Sequence, residues 1–187
     1  MIPARFSRRF ERKLSPFIRK IKIHPNAVTI AGFVITSAGA FLMARNFQAG
    51  GAVVILGSLM DVLDGMVARV NEKTSTLGAY LDSVLDRYSD GFIFLGVAYH
   101  LRTSATGVFL SLGTLIGAYL VSYARARAEG LGAECKVGIM ERTERIIIIT
   151  AGAISGLIMP ALWVLFIFTH ITVLQRIIHT KRQLQKA

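Results

Sequence analysis

Long apolar runs separated by short polar links organise this chain. They lie at about 27–44, 50–68, 78–101, 105–124 and 146–174. A helix needs about 20 apolar residues to cross a hydrocarbon core about 30 Å thick, and the first four runs approach that length. The fifth is too long for one simple span and is broken by Gly156 and Pro160. It reads either as one tilted helix or as a hairpin of two short ones. Ahead of the runs, Phe6, Phe10, Leu14, Phe17, Ile18 and Ile21 recur at helical spacing with Arg and Lys between them. Residues 4–22 are therefore predicted to form an amphipathic helix lying on anionic lipid, kinked or divided at Pro16. In the "HPNAVT" that follows, Pro25 and Asn26 suit the start of a helix, with Asn26 as its cap.

Composition agrees with a membrane protein: 53% of residues are hydrophobic and the mean hydropathy is +0.53. The net charge of +11 has one reading in nucleic-acid binding, but its distribution favours a lipid surface. Basic residues concentrate before the first run, in the links after the second and fourth, and in the tail. By the positive-inside rule these segments share the cytoplasmic side. A basic tail on that side requires the last run to cross twice. The prediction is an all-α, polytopic membrane protein with six transmembrane helices preceded by an interfacial helix. It forms one domain, residues 1–187, with the bundle at 27–180 and both termini cytoplasmic. The lone Cys135 excludes an intramolecular disulfide. The first 20 residues are too basic for a cleavable signal peptide.

The chemistry lies in the aspartates. All 5 of them, Asp61, Asp64, Asp82, Asp86 and Asp90, fall between positions 61 and 90. Asp61 and Asp64 share a face at i, i+3, and Gly78, Asp82, Asp86 and Asp90 share one at i, i+4. The two segments read as an antiparallel hairpin whose acidic faces meet near the cytoplasmic side. A charged residue at the centre of a membrane helix costs about 2.5–3.5 kcal/mol on insertion scales, so these groups need cations or water. With no His or Cys nearby, an all-oxygen set selects Mg²⁺ or Mn²⁺. Paired ions suit in-line displacement at phosphorus. A proton relay, a cation pathway or an internal salt-bridge network are the other uses for such a cluster. Small residues beside the acids (Gly65, Ala68, Gly78), Arg69 one turn beyond Asp64, and the hydroxyls of Thr74, Ser75 and Thr76 favour phosphate handling over ion passage. Asp90 reads as structural, paired with Arg87 or another basic group.

The pattern Asp61-x-x-Asp64-Gly65-x-x-Ala68-Arg69, eight residues, Gly78-x-x-x-Asp82-x-x-x-Asp86 resembles the signature of the CDP-alcohol phosphatidyltransferases. The resemblance implies transfer of a lipid-linked phosphoryl group from a CDP-lipid to an alcohol, with release of CMP. It implies two divalent cations, Mg²⁺ or Mn²⁺, held by Asp61, Asp64, Asp82 and Asp86, with Asp86 also the general base. Asn26, Thr29, Gly65, Arg69, Ser75 and Gly78 would contact the CDP-lipid, and the protein would be a homodimer in the cell membrane, with its active site on the cytoplasmic side.

Arginines near the ends of the fourth to sixth spans bear on the acceptor. "SYARARAEG", "GIMERTERIIII" and the late Arg176 place Arg125, Arg127, Arg142, Arg145 and Arg176 at one membrane face. Ordinary positive-inside flanking explains any one of them. Together they resemble the phosphatidylinositol-phosphate and archaetidylinositol-phosphate synthase subgroup, which implies inositol phosphate held by Ser122, Arg125, Arg145 and Arg176. Position 125 is often lysine there, so this chain departs in side-chain type but not in charge. Glycerol 3-phosphate is the rival acceptor, and an ion or proton transporter with an acidic intramembrane site is the rival from another class. No nucleic-acid partner is expected.

Overall fold

The computed structural model describes residues 24–71 and 74–185, so the expected surface helix at 4–22 lies outside it. The described residues form six helices: α1 (Pro25–Met43), α2 (Phe47–Val70), α3 (Thr76–His100), α4 (Ala105–Gly130), α5 (Arg142–Ser155) and α6 (Ile158–Leu184). The all-α prediction holds, with each apolar run becoming helix.

The helix starts follow from their caps. The side chains of Asn46, Ser75 and Ser104 accept from the backbone N–H three residues on, at 3.1, 3.0 and 3.1 Å. Asn26 is not the cap of α1. That position belongs to His24, whose Nδ1 accepts from the Asn26 backbone N–H at 3.3 Å, and Pro25 takes the first helical position. The Asn26 side chain is thereby left for other work.

The last apolar run breaks at Gly156, which adopts φ 76°, a left-handed conformation that glycine tolerates. Pro160 falls inside the first turn of α6, where a proline does not interrupt the ladder. The result is neither one tilted helix nor two short ones. It is a 14-residue helix of about 21 Å followed by a 27-residue helix of about 40 Å. Helices α1, α2, α4 and α6 have the length and hydropathy to cross a membrane. Helix α3 is as long but carries the acids, and α5 is shorter than a hydrocarbon core.

Packing departs from the sequence expectation at one point. Helices α2 and α3 do not lie along one another as a hairpin: each packs against α1, and α2 also meets α5, while α3 meets α4. Helix α6 closes the bundle against α4 and α5. Glycine permits the closest approach: any Cβ at Gly57 of α2 would run into Thr36 of α1. The buried core runs through Met43, Val54, Ile93, Val97, Leu110, Ile149, Leu162 and Leu165. Phe41, Leu56, Phe109, Ile116 and Trp163 point outward, as a lipid-facing surface requires. Because α2 and α3 each pack against α1 and not along one another, their acidic ends border a cleft.

Candidate active site

Alternating helix direction brings the N-terminal ends of α1, α3 and α5 and the C-terminal ends of α2, α4 and α6 to one end of the bundle. Two cavities open there. The first, about 200 Å³, has walls from α1, α2, α3 and the α2–α3 link. All six residues expected to hold a CDP-lipid line it: Asn26, Thr29, Gly65, Arg69, Ser75 and Gly78. Asp64 and Asp82 face it from opposite helices. Asp64 is buried, and its Oδ2 has no hydrogen-bond partner. Ser75 serves locally as well, since its Oγ caps α3. The Arg69 guanidinium lies over Gly65, where an added Cβ would meet its Nη1 at 3.2 Å.

The second cavity, about 190 Å³, lies among α3, α4, α5 and α6. Ser122, Arg125, Arg145 and Arg176, the four residues expected to hold an acceptor phosphate, all line it, together with Asp86, Asp90 and Arg142. Their hydrogen bonds differ. Arg125 pairs with Glu129 at 2.9 Å, and both side chains are well exposed. Arg145 is buried, with Nη2 on Asp90 Oδ2 at 2.6 Å and Nη1 donating to the Met140 carbonyl at 3.4 Å. Arg176 is also buried: it donates to the carbonyls of Val121 (2.6 Å) and Val137 (2.8 Å) and reaches Glu141 at 3.4 Å. It thus ties α4, α6 and the segment before α5 together under the cavity.

Arg142, the first residue of α5, lines the second cavity and reaches the signature aspartates. Its Nη2 lies 2.9 Å from Asp61 Oδ2 and its Nη1 lies 3.0 Å from Asp86 Oδ1. Its Nε is 3.7 Å from Asp90 Oδ1. Sequence reasoning put Arg142 among the basic residues of this face but gave it no role. The signal was present in the Arg142–Arg145 spacing of i, i+3, which turns both guanidinium groups to the same side of α5. Asp90 does have a structural pairing, but its partners are Arg145 and Arg142. Arg87 instead donates to the Ser83 carbonyl at 2.7 Å and lies 4.0 Å from Asp86.

The acidic set offers only hard oxygen donors, and one buried carboxylate oxygen is unpartnered. Both features suit Mg²⁺ or Mn²⁺. Among the described residues, no three acidic, His or Cys side chains are gathered closely enough to enclose an ion. The Arg142 guanidinium bridges Asp61 and Asp86 in this arrangement.

The sequence model of the family described as CDP-alcohol phosphatidyltransferase matches residues 22–178. The chain belongs to this family. An archaetidylinositol phosphate synthase of Methanothermobacter thermautotrophicus is 39% identical over 181 residues, covering 93% of this chain and 91% of that protein. A phosphatidylinositol phosphate synthase of Mycobacterium tuberculosis is 37% identical over 190 residues, covering 91% of this chain and 86% of that one. The crystal structure of the M. tuberculosis synthase with CDP-DAG bound superposes with a TM-score of 0.79 at 31% identity, over 95% of this chain and 94% of that one. Another, in complex with manganese and citrate, gives 0.79 at 29% identity, over 91% and 88%. This CDP-alcohol phosphatidyltransferase therefore has the membrane fold of those enzymes, with its signature aspartates at the mouth of the bundle.

Proposed function

We propose that the protein transfers the phosphatidyl or archaetidyl group of a CDP-linked lipid to inositol phosphate and releases CMP. One observation carries this reading: α3 lines a carboxylate-bearing cavity with Asp82 and, one helical turn on, an arginine-lined cavity with Asp86, so a donor and an anionic acceptor can meet along that helix. Relatives named for inositol phosphate lipids add support, as does a structural neighbour crystallised with manganese.

In this reading Asp61, Asp64, Asp82 and Asp86 hold two divalent cations, Mg²⁺ or Mn²⁺. When bound, such ions neutralise the pyrophosphate and stabilise the charge that develops at phosphorus. Asn26, Thr29, Ser75 and Arg69 bind the CDP-lipid, and Gly65 and Gly78 leave room for it against the helix backbones. Asp86 accepts the proton of the acceptor hydroxyl. The oxygen–phosphorus bond to the acceptor forms as the bond to CMP breaks. Arg125 and Ser122 contact the acceptor phosphate at the cavity mouth, while buried Arg145 and Arg176 supply positive charge from its floor. An arginine fork grips a phosphate in bidentate fashion. The protein works as a homodimer in the cell membrane, with termini and both cavities on the cytoplasmic side.

Acceptor-dependent release of labelled CMP tests the assignment. Inositol phosphate supports turnover in this account. Turnover with glycerol 3-phosphate alone contradicts the subgroup assignment while leaving the family chemistry intact.

A further inference from the structure

Arg142, in the wall of the arginine cavity, pairs with two of the signature aspartates, and these contacts have a consequence for the order of binding. Its guanidinium holds Asp61 Oδ2 at 2.9 Å and Asp86 Oδ1 at 3.0 Å, oxygens from two different helices. A Mg²⁺ ion binds carboxylate oxygens at about 2.0–2.1 Å, and a guanidinium on the same oxygens would face it at close range. The guanidinium and the ions therefore compete for one set of oxygens. Beyond these two contacts, among the described residues, Arg142 has only a 3.7 Å ion pair from its Nε to Asp90 Oδ1, and that Nε makes no hydrogen bond. Asp90 does not need it either, because Arg145 already meets Asp90 at 2.6 Å. Arg142 also forms part of the wall of the arginine cavity.

We propose that Arg142 and the divalent cations are alternative occupants of the carboxylate cluster, and that metal loading transfers the Arg142 guanidinium to the acceptor cavity. The inference rests on the two-metal reading of the proposed function. It makes the acceptor site dependent on the donor site. Before loading, Arg142 neutralises carboxylates that have no ions. After loading, it adds a cation for the acceptor phosphate, and only then is that site complete. Acceptor binding is favoured once the metal ions are in place.

Calorimetric titration of the detergent-solubilised full-length protein with Mn²⁺ alone, without lipid or acceptor, tests the competition. Arg142→Gln is expected to bind Mn²⁺ about tenfold more tightly than wild type, the scale of removing one competing ion pair. Arg142→Lys, which keeps the charge, falls between them. Titration with inositol phosphate tests the transfer: Mn²⁺ tightens its binding to wild type, and Arg142→Gln loses that gain. Equal or weaker Mn²⁺ binding by Arg142→Gln overturns the proposal. Wild-type protein that binds no Mn²⁺ overturns the two-metal reading and this proposal together. A structure of Mn²⁺-loaded wild type needs no variant to fold. It should show Arg142 off Asp61 and Asp86, and retention of both contacts overturns the exchange.

Discussion

The two cavities are close in volume, about 200 and 190 Å³, and opposite in chemistry. The donor side is built from one stretch of chain, from Asp64 to Asp82, plus the start of α1. It is lined by carboxylates, small residues and hydroxyls. The acceptor side is assembled from α3, α4, α5 and α6, and arginines dominate it. Carboxylates attract an anionic substrate only through cations, so that side is suited to a pyrophosphate that arrives with metal ions. Guanidinium groups hold a phosphate directly and discriminate among alcohols by shape and charge. In the proposed reading the contrast separates reaction from choice: the compact acidic stretch carries the chemistry, and the dispersed basic one selects the acceptor.

Substitutions on each side should break that division in different ways. The largest effect is expected from Asp86→Asn, which removes the proposed base at nearly constant volume. CMP formation should fall about 10²–10⁴-fold, measured with helix content unchanged by circular dichroism. Retained turnover contradicts the base assignment. Next is Arg125→Ala. Loss of a charged hydrogen bond costs about 1.5–3 kcal/mol, which corresponds to a rise of about 10–100-fold in KM for the acceptor phosphate. The KM for the CDP-lipid should not move. Gly78→Ala is the mirror experiment. Its new Cβ would stand 2.9 Å from Ser75 Oγ and 3.1 Å from Asn26 Oδ1, narrowing the donor cavity. The expected result is a rise of about tenfold in KM for the CDP-lipid alone, the scale of 1.4 kcal/mol. Parallel changes in both KM values for either variant would show that the cavities do not act separately. The smallest effect is at Gly156, remote from both cavities and held at φ 76°. Gly156→Ala should cost about 1 kcal/mol and lower the Tm by about 2–4 °C with turnover unchanged.

The same contrast sets how much the sequence reveals. Spacings of i, i+3 and i, i+4 place Asp61 with Asp64 and Asp82 with Asp86 before any tertiary structure is considered, so the donor side is legible from local pattern. The acceptor arginines are legible only as a group near one membrane face, because their partners are remote: Arg145 meets Asp90 and Arg176 meets Val121, each 55 positions away in the chain. Arg142 escaped a role for that reason, since its bridge to Asp61 spans 81 positions. The six helices follow from hydropathy, but their neighbours do not. A short α2–α3 link suggests a hairpin, yet the glycine-mediated fit to α1 separates those helices and leaves the cleft. At the last break, Gly156 and Pro160 compete as stop signals. The left-handed turn decides for Gly156, because a proline in a first turn has no ladder bond to remove.

CMP release from a CDP-lipid and inositol phosphate, run in EDTA and again after Mn²⁺ is restored, tests the central claim most directly. The account predicts CMP only when lipid donor, phosphate-bearing acceptor and divalent ion are all present. Sustained CMP release in EDTA, or cation flux through proteoliposomes with no CMP formed under any condition, would contradict it.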